Sequence, residues 1–340
     1  MGAHQNALRQ RMKYTGESWR ALNNDTSIDH MAAIPEALDA AQRDLESAVF
    51  EALNVGYYFR HAYGVDRVRI RPDGTIALHV DNFSKDGHRR LAPALLAKLL
   101  PDTRAGELLH GEPGVRVHDA NGSALVLTTV EGSPRVSVLV QDGDWRADLD
   151  ALARQCEAVD GEPAWSKPEY TDAERAWLCW EDWGRSPDWV RRVRAASTPT
   201  KALGSGLLRR VAAFHRIGEA HALSAWTREA IGSNPDEMFR RWNIEVVRDR
   251  PAKPDHDHLV DAMCAPFYGL PLREVSRWCS CTSGRNDSSP GRQCTVTLVT
   301  TDHDHPVELQ LRFLEDRAKG KGSVAQVEAV AAVSGLSRGT

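Results

Sequence analysis

The sequence predicts an α+β protein, with an N-terminal antiparallel sheet and flanking helices, then a mainly helical domain carrying a small β-hairpin. Three observations carry this expectation. Apolar residues recur with helical period over residues 34–52, residues 68–140 contain segments that alternate at period two between turn-forming residues, and from 171 to 242 the period is helical again. A length of 340 residues exceeds one average core, so two domains are expected. Their bounds are read as a helical arm over 1–30, an α+β domain over 31–160, the mainly helical domain over 170–318 and a tail over 319–340.

Taken in order, Leu8, Met12 and Trp19 lie around a break at Gly16, which reads as two short helices. The helix at 34–52 presents Leu38, Ala41, Leu45 and Val49 on one face, continued by Leu53. Segments 68–71 and 76–80 alternate around Pro72-Asp73-Gly74, residue types of a tight hairpin turn. Residues 91–100 form a helix that stops before Pro101, because proline disfavours helical geometry in the residue before it. Strands follow at 115–118, 124–130 and 136–140, with Asn121-Gly122 and Gly132-Ser133-Pro134 at the turns. A helix at 148–159 leads into Gly161-Glu162-Pro163 and Lys167-Pro168, read as the linker. Beyond it come helices, one strand at 244–247, a helix near 258–278, and a hairpin of 295–301 with 307–313. Trp177, Trp180 and Trp183, three residues apart, read as a helix stripe packed into a core. No internal repeat of fixed period is visible.

Composition narrows the function classes. A net charge of -4 excludes a uniformly basic nucleic-acid coat, so any polyanion site must be local. No apolar run of about 18 residues occurs, and residues 1–6 lack the apolar core of a signal peptide. A cytoplasmic protein without membrane contact is therefore expected, and its six cysteines are expected as thiols.

Charge reverses sign midway along the chain. Residues 142–182 hold twelve acidic and four basic side chains, whereas residues 189–218 hold seven basic ones and no carboxylate. Arg191, Arg192, Arg194, Lys201, Arg209 and Arg210 are thus candidate nucleic-acid-binding residues, since clustered arginines displace counterions from a phosphate chain. Ser197, Thr198, Thr200, Gly204 and Ser205 would add hydroxyl and backbone donors. The competing expectation is that this basic region docks on the acidic segment just before it.

A second candidate site lies at 255–305, where four cysteines are interspersed with Asp255-His256-Asp257-His258 and Asp302-His303-Asp304-His305. Zinc takes thiolate and imidazole in tetrahedral sets. Cys279, Cys281 and Cys294 with one of the four histidines, His256, His258, His303 or His305, could therefore close a structural zinc site, and His256 and His258 are taken as the candidates. The spacing is Cys-x-Cys plus one lone cysteine, not paired Cys-x-x-Cys knuckles. Cys264 is read as a core residue, and Asp255 or Asp257 as a helix cap.

Val330-Ala331-Ala332-Val333-Ser334-Gly335-Leu336-Ser337 closes the chain with small residues, a turn glycine and a capping serine. This stretch, within 323–340, resembles the first helix and turn of a bacterial helix-turn-helix regulator. The resemblance implies DNA contact, but the recognition helix that would read base edges is missing after Thr340. The overall expectation is a non-enzymatic accessory or regulatory protein that binds nucleic acid or a protein partner through 189–216, with no cofactor beyond a structural zinc. The alternative is a metal-dependent hydrolase or nuclease, with zinc or manganese, using 255–305.

Overall fold

Two five-stranded sheets with one shared topology organise the protein. The computed structural model describes residues 3–23, 34–56, 59–103, 109–180, 187–231, 238–248, 256–279, 293–301 and 306–315. The C-terminal segment that resembles a helix-turn-helix lies outside them.

In chain order, the N-terminal segment is α1 (Ala3–Thr15) and α2 (Trp19–Asn23), followed by α3 (Ala40–Ala52). The first sheet region contains β1 (Val65–Ile70), β2 (Ile76–Val80), α4 (Leu91–Leu99), β3 (Asp102–Thr103), β4 (Val115–Ala120), β5 (Ala124–Thr129), β6 (Val136–Val140) and α5 (Trp145–Glu157). A connecting stretch has β7 (Glu162–Pro163), α6 (Asp172–Trp180), α7 (Pro187–Arg209) and α8 (Val211–Arg216). The second sheet region has β8 (Ala220–Ile231), β9 (Met238–Arg248), α9 (His256–Met263), β10 (Leu272–Cys279), β11 (Gln293–Thr300) and β12 (Glu308–Glu315).

The α+β class stands, but the first sheet is mixed, not antiparallel. Its order is β1-β2-β6-β5-β4, and β2 runs parallel to β6. The second sheet has order β10-β11-β12-β9-β8, with β12 parallel to β9. Each sheet is therefore a hairpin, then a helix, then a three-stranded meander whose last strand joins the hairpin's second strand in parallel. This repeat of topology leaves no fixed period in the sequence, because it is preserved by strand pairing and not by spacing.

Several local expectations change in context. α3 begins only after Asp39, whose carboxylate caps it by accepting from the Gln42 backbone N–H. Leu38, outside the helix, is exposed, while Leu45, Val49 and Leu53 are buried. The stretch read as continuous helix to residue 242 turns to strand at Ala220. Its alanines and arginines favour helix weakly, but β9 is paired on both sides and buries Trp242, Ile244 and Val246 completely, which outweighs that propensity. Likewise residues 272–278 form an edge strand instead of helix, with Val275 and Trp278 exposed. The expected linker at 161–168 is packed: β7 pairs with β3, and Trp165 is buried.

One continuous apolar core runs from Tyr14 through both sheets to Phe313. The N-terminal helices lie against it. The Tyr14 hydroxyl donates to the Ala262 carbonyl at 3.0 Å, and Gly16, at φ 76°, approaches the Asp66 carbonyl so closely that a Cβ there would lie 2.3 Å from that oxygen. α7 crosses α3 at Gly204, where a Cβ would meet the Ser47 hydroxyl at 2.4 Å and the Trp242 ring at 2.7 Å. Gly204 thus serves helix packing, and the Ser205 hydroxyl, expected from sequence as a donor to phosphate, donates to Glu46.

Candidate metal centre

Three elements of the second sheet region converge on one point. His256 is the first residue of α9, Cys279 the last of β10, and Cys294 lies at the start of β11. Cys279 and Cys294 are direct cross-strand partners, the final pair of the β10–β11 ladder. One ligand atom from each of His256, Cys279 and Cys294 lies within 4.8 Å of the others. His256 and Cys294 are buried and Cys279 is half-buried, so the donors face the interior. The His256 ring packs on Phe313 of β12, 5.5 Å between centroids, which limits its rotation.

A bracket of charge holds α9 against β10 beside this point. Arg277 donates to Glu274 on its own strand at 2.8 and 2.6 Å and also to the Asp257 carboxylate on α9. Hydrogen bonding to Glu274 and then to Asp257 raises the Arg277 pKa. The Arg277 guanidinium holds the Asp257 carboxyl below its ordinary range. Because Asp257 follows His256 and Arg277 precedes Cys279 by two residues, the pair fixes the separation of the two ligand-bearing elements.

The donor chemistry suits zinc better than a hard cation, since two sulfurs and an imidazole are soft or borderline ligands. Tetrahedral zinc with Zn–S bonds of about 2.3 Å places two thiolates about 3.8 Å apart. The Cys279 and Cys294 sulfurs are 2.8 Å apart, so loading a metal would spread them by about 1 Å.

Of the metal residues expected from sequence, His256, Cys279 and Cys294 are brought together and His258 is not. Two residues along a helix turn a side chain about 200° away, and His258 is exposed. Cys281 and the loop 302–305 lie outside the described residues, as does Asp255. Cys264 packs against the core as expected, and burial, followed by the Glu274 and Asp261 carboxylates, pushes its thiol up to about 11.

The candidate nucleic-acid residues have a different fate. Arg209 is 0% exposed and forms a two-point pair with Glu46, also 0% exposed: Nε to Oε2 at 2.8 Å and Nη2 to Oε1 at 2.6 Å. Its remaining donors reach the Pro35 and Gly74 carbonyls, and Ser205 and Gln42 complete the carboxylate's shell. Arg210 is buried against Glu36 and the Tyr268 carbonyl, and Lys201 pairs with Asp44 at 2.8 Å. These carboxylates belong to residues 36–46, so these three basic groups do not dock on the preceding acidic segment. That segment finds its own partners: Arg90 with Asp148 and Arg116 with Glu174. Arg191, Arg192 and Arg194 fall within α7, and their side chains lie outside the described residues.

The equivalent place in the first sheet is apolar. There the last pair of the β4–β5 ladder is Ala120 with Leu125. The chain matches no protein-family model, no curated protein and no solved structure. Among the described residues no helix is long and apolar enough to cross a membrane.

Proposed function

We propose that this is a metal-binding accessory protein whose second sheet carries a zinc centre made by His256, Cys279 and Cys294. The single observation behind this reading is the convergence of two sulfurs and an imidazole from three separate elements. The fourth ligand offered by the sequence is Cys281, two residues beyond Cys279. A closed Cys3His set is a structural zinc site, which ties α9 to the open end of the β10–β11 hairpin.

The polyanion reading now rests on Arg191, Arg192 and Arg194, because Lys201, Arg209 and Arg210 engage internal carboxylates. The zinc reading is tested by elemental analysis of protein purified under reducing conditions without chelator. One zinc per chain is expected, lost in His256→Ala and Cys294→Ser and retained in His258→Ala. Zinc content below a tenth of an equivalent, with full thiol content by titration, would overturn it.

A further inference from the structure

Residues 273–278 of β10 are all exposed, and the strand ends the second sheet with β11 as its only strand neighbour among the described residues. The other three terminal strands of the two sheets each meet another part of the chain. β1 lies against α1 and α8, with Gly16 at Asp66. β4 meets the turn at Ala164–Ser166, and its Arg116 reaches the Lys167 and Glu169 carbonyls. β8 accepts a hydrogen bond at its Ala225 carbonyl from the Asn54 side chain, at 2.7 Å. β10 instead offers an open ladder edge, with Val275 and Trp278 at 45% and 59% exposure. An open edge carrying apolar side chains is a template for a strand from another chain.

We propose that the occupant of this edge is β10 of a second copy, laid antiparallel about a two-fold axis between Val275 and Ser276. The order of charges along the strand argues for a copy of the same chain. In that register Glu274 of each copy lies opposite Arg277 of the other, and Arg273 opposite Trp278, each pair formed twice by the symmetry. Opposite charges across a ladder stabilise it, and a guanidinium beside an indole adds a cation–π contact. Sliding the strands by one or two residues in either direction separates Glu274 from Arg277, so the register is specified.

The bulge in β10 makes this register possible. Glu274 and Arg277 are three positions apart, which in a regular strand would put them on opposite faces. Here the ladder skips Val275, so Glu274 lies opposite Leu298 and Arg277 opposite Val296, two buried residues on one side of β11. Arg273 and Trp278 lie opposite Val299 and Thr295, on the other side. Each cross-copy pair therefore has both side chains on one face of a sheet to which each copy contributes five strands. Arg277 also has the donors for it. Three of its five N–H groups serve Glu274 and Asp257 within the chain, and two are left for the second Glu274.

The test is analytical ultracentrifugation of the full chain under reducing conditions, so that disulfide-linked species do not count. A reversible species of twice the 37.7 kDa chain mass is expected as concentration rises through the micromolar range. Glu274→Arg and Arg277→Glu should each weaken self-association by about tenfold or more, since each sets like charges opposite one another. An equimolar mixture of the two variants should recover it, because every such cross-copy pair then joins a glutamate to an arginine. Trp278→Glu, at a side chain already exposed, should weaken association while keeping the wild-type circular dichroism spectrum, and it decides the matter if a charge variant fails to fold. A wild-type chain that stays monomeric throughout, leaving the edge to a strand from another source, would overturn the proposal. So would a dimer that keeps its affinity in all three variants, or one that both charge variants abolish and their mixture does not restore.

Discussion

Arg209 on α7 and Glu46 on α3 meet as a fully buried two-point ion pair, 163 residues apart in the chain. Every guanidinium nitrogen has an acceptor and each carboxylate oxygen accepts twice. Breaking such a pair from one side leaves an unpaired buried charge, which costs about 3–5 kcal/mol. Arg209→Met and Glu46→Leu should each lose that much in urea unfolding, and the double variant should recover a large part of it. Lys201→Ala, at the half-exposed pair with Asp44, should stay within about 1 kcal/mol of wild type.

Glu174 sets an acid limit. Burial pushes its pKa up, but donors from Arg116, Gly114 and Thr171 outweigh that and hold it below the ordinary glutamate value. The folded state thus prefers the carboxylate. Its contribution is fully present above the unfolded value of about 4.3 and is lost as pH falls through the lower folded value. Glu174→Gln should be less stable than wild type at pH 7, and the difference should shrink on acidification. A constant difference from pH 7 to pH 3 would refute this.

His79 acts in a higher window. Burial first, and then the nearby Arg67, lowers its pKa to about 4. Between about 6.5 and 4 the unfolded chain binds a proton that the folded chain does not, so stability falls as pH drops through this range. His79→Gln should flatten that part of the stability profile. An NMR titration of the His79 ring should give a midpoint well below that of an exposed histidine.

Gly16 combines a left-handed backbone with contact against Asp66, so Gly16→Ala is strained in conformation and in space. A destabilisation of at least 1–3 kcal/mol is expected by calorimetry. Gly122, where a Cβ would meet nothing, should tolerate alanine with an effect near zero.

Zinc should stabilise the reduced protein by mass action. At free zinc about 100 times the dissociation constant, the gain is about 2.7 kcal/mol, visible as a higher unfolding temperature. Cys294→Ser should abolish the gain, and a wild-type curve unmoved by zinc would contradict the centre.

The N-terminal half was largely legible in the sequence. The turn at Pro72-Asp73-Gly74, the break at Gly16 and the strands at 115–140 use residues whose local geometry decides their structure. In the second half, the strands from Ala220 to Arg248 and from Leu272 to Cys279 carry helix-compatible residues, and their ladders override a weak local preference. The clustering of Cys279, Cys294 and a nearby histidine was legible as zinc-ligand chemistry. That His256 and not His258 joins them follows from which side of α9 faces the sheet.

By itself, the sequence determined the α+β class, the turns, and the set of residues able to hold a soft metal, because these depend on side-chain chemistry and on neighbours within a few residues. Only the tertiary structure decided the parallel joins β2 with β6 and β9 with β12, the repeat of topology, and the burial of Arg209 and Arg210 against Glu46 and Glu36. Those choices pair groups up to 174 residues apart. At such separations no local period or spacing specifies the partner, and burial of charge and apolar surface together selects it.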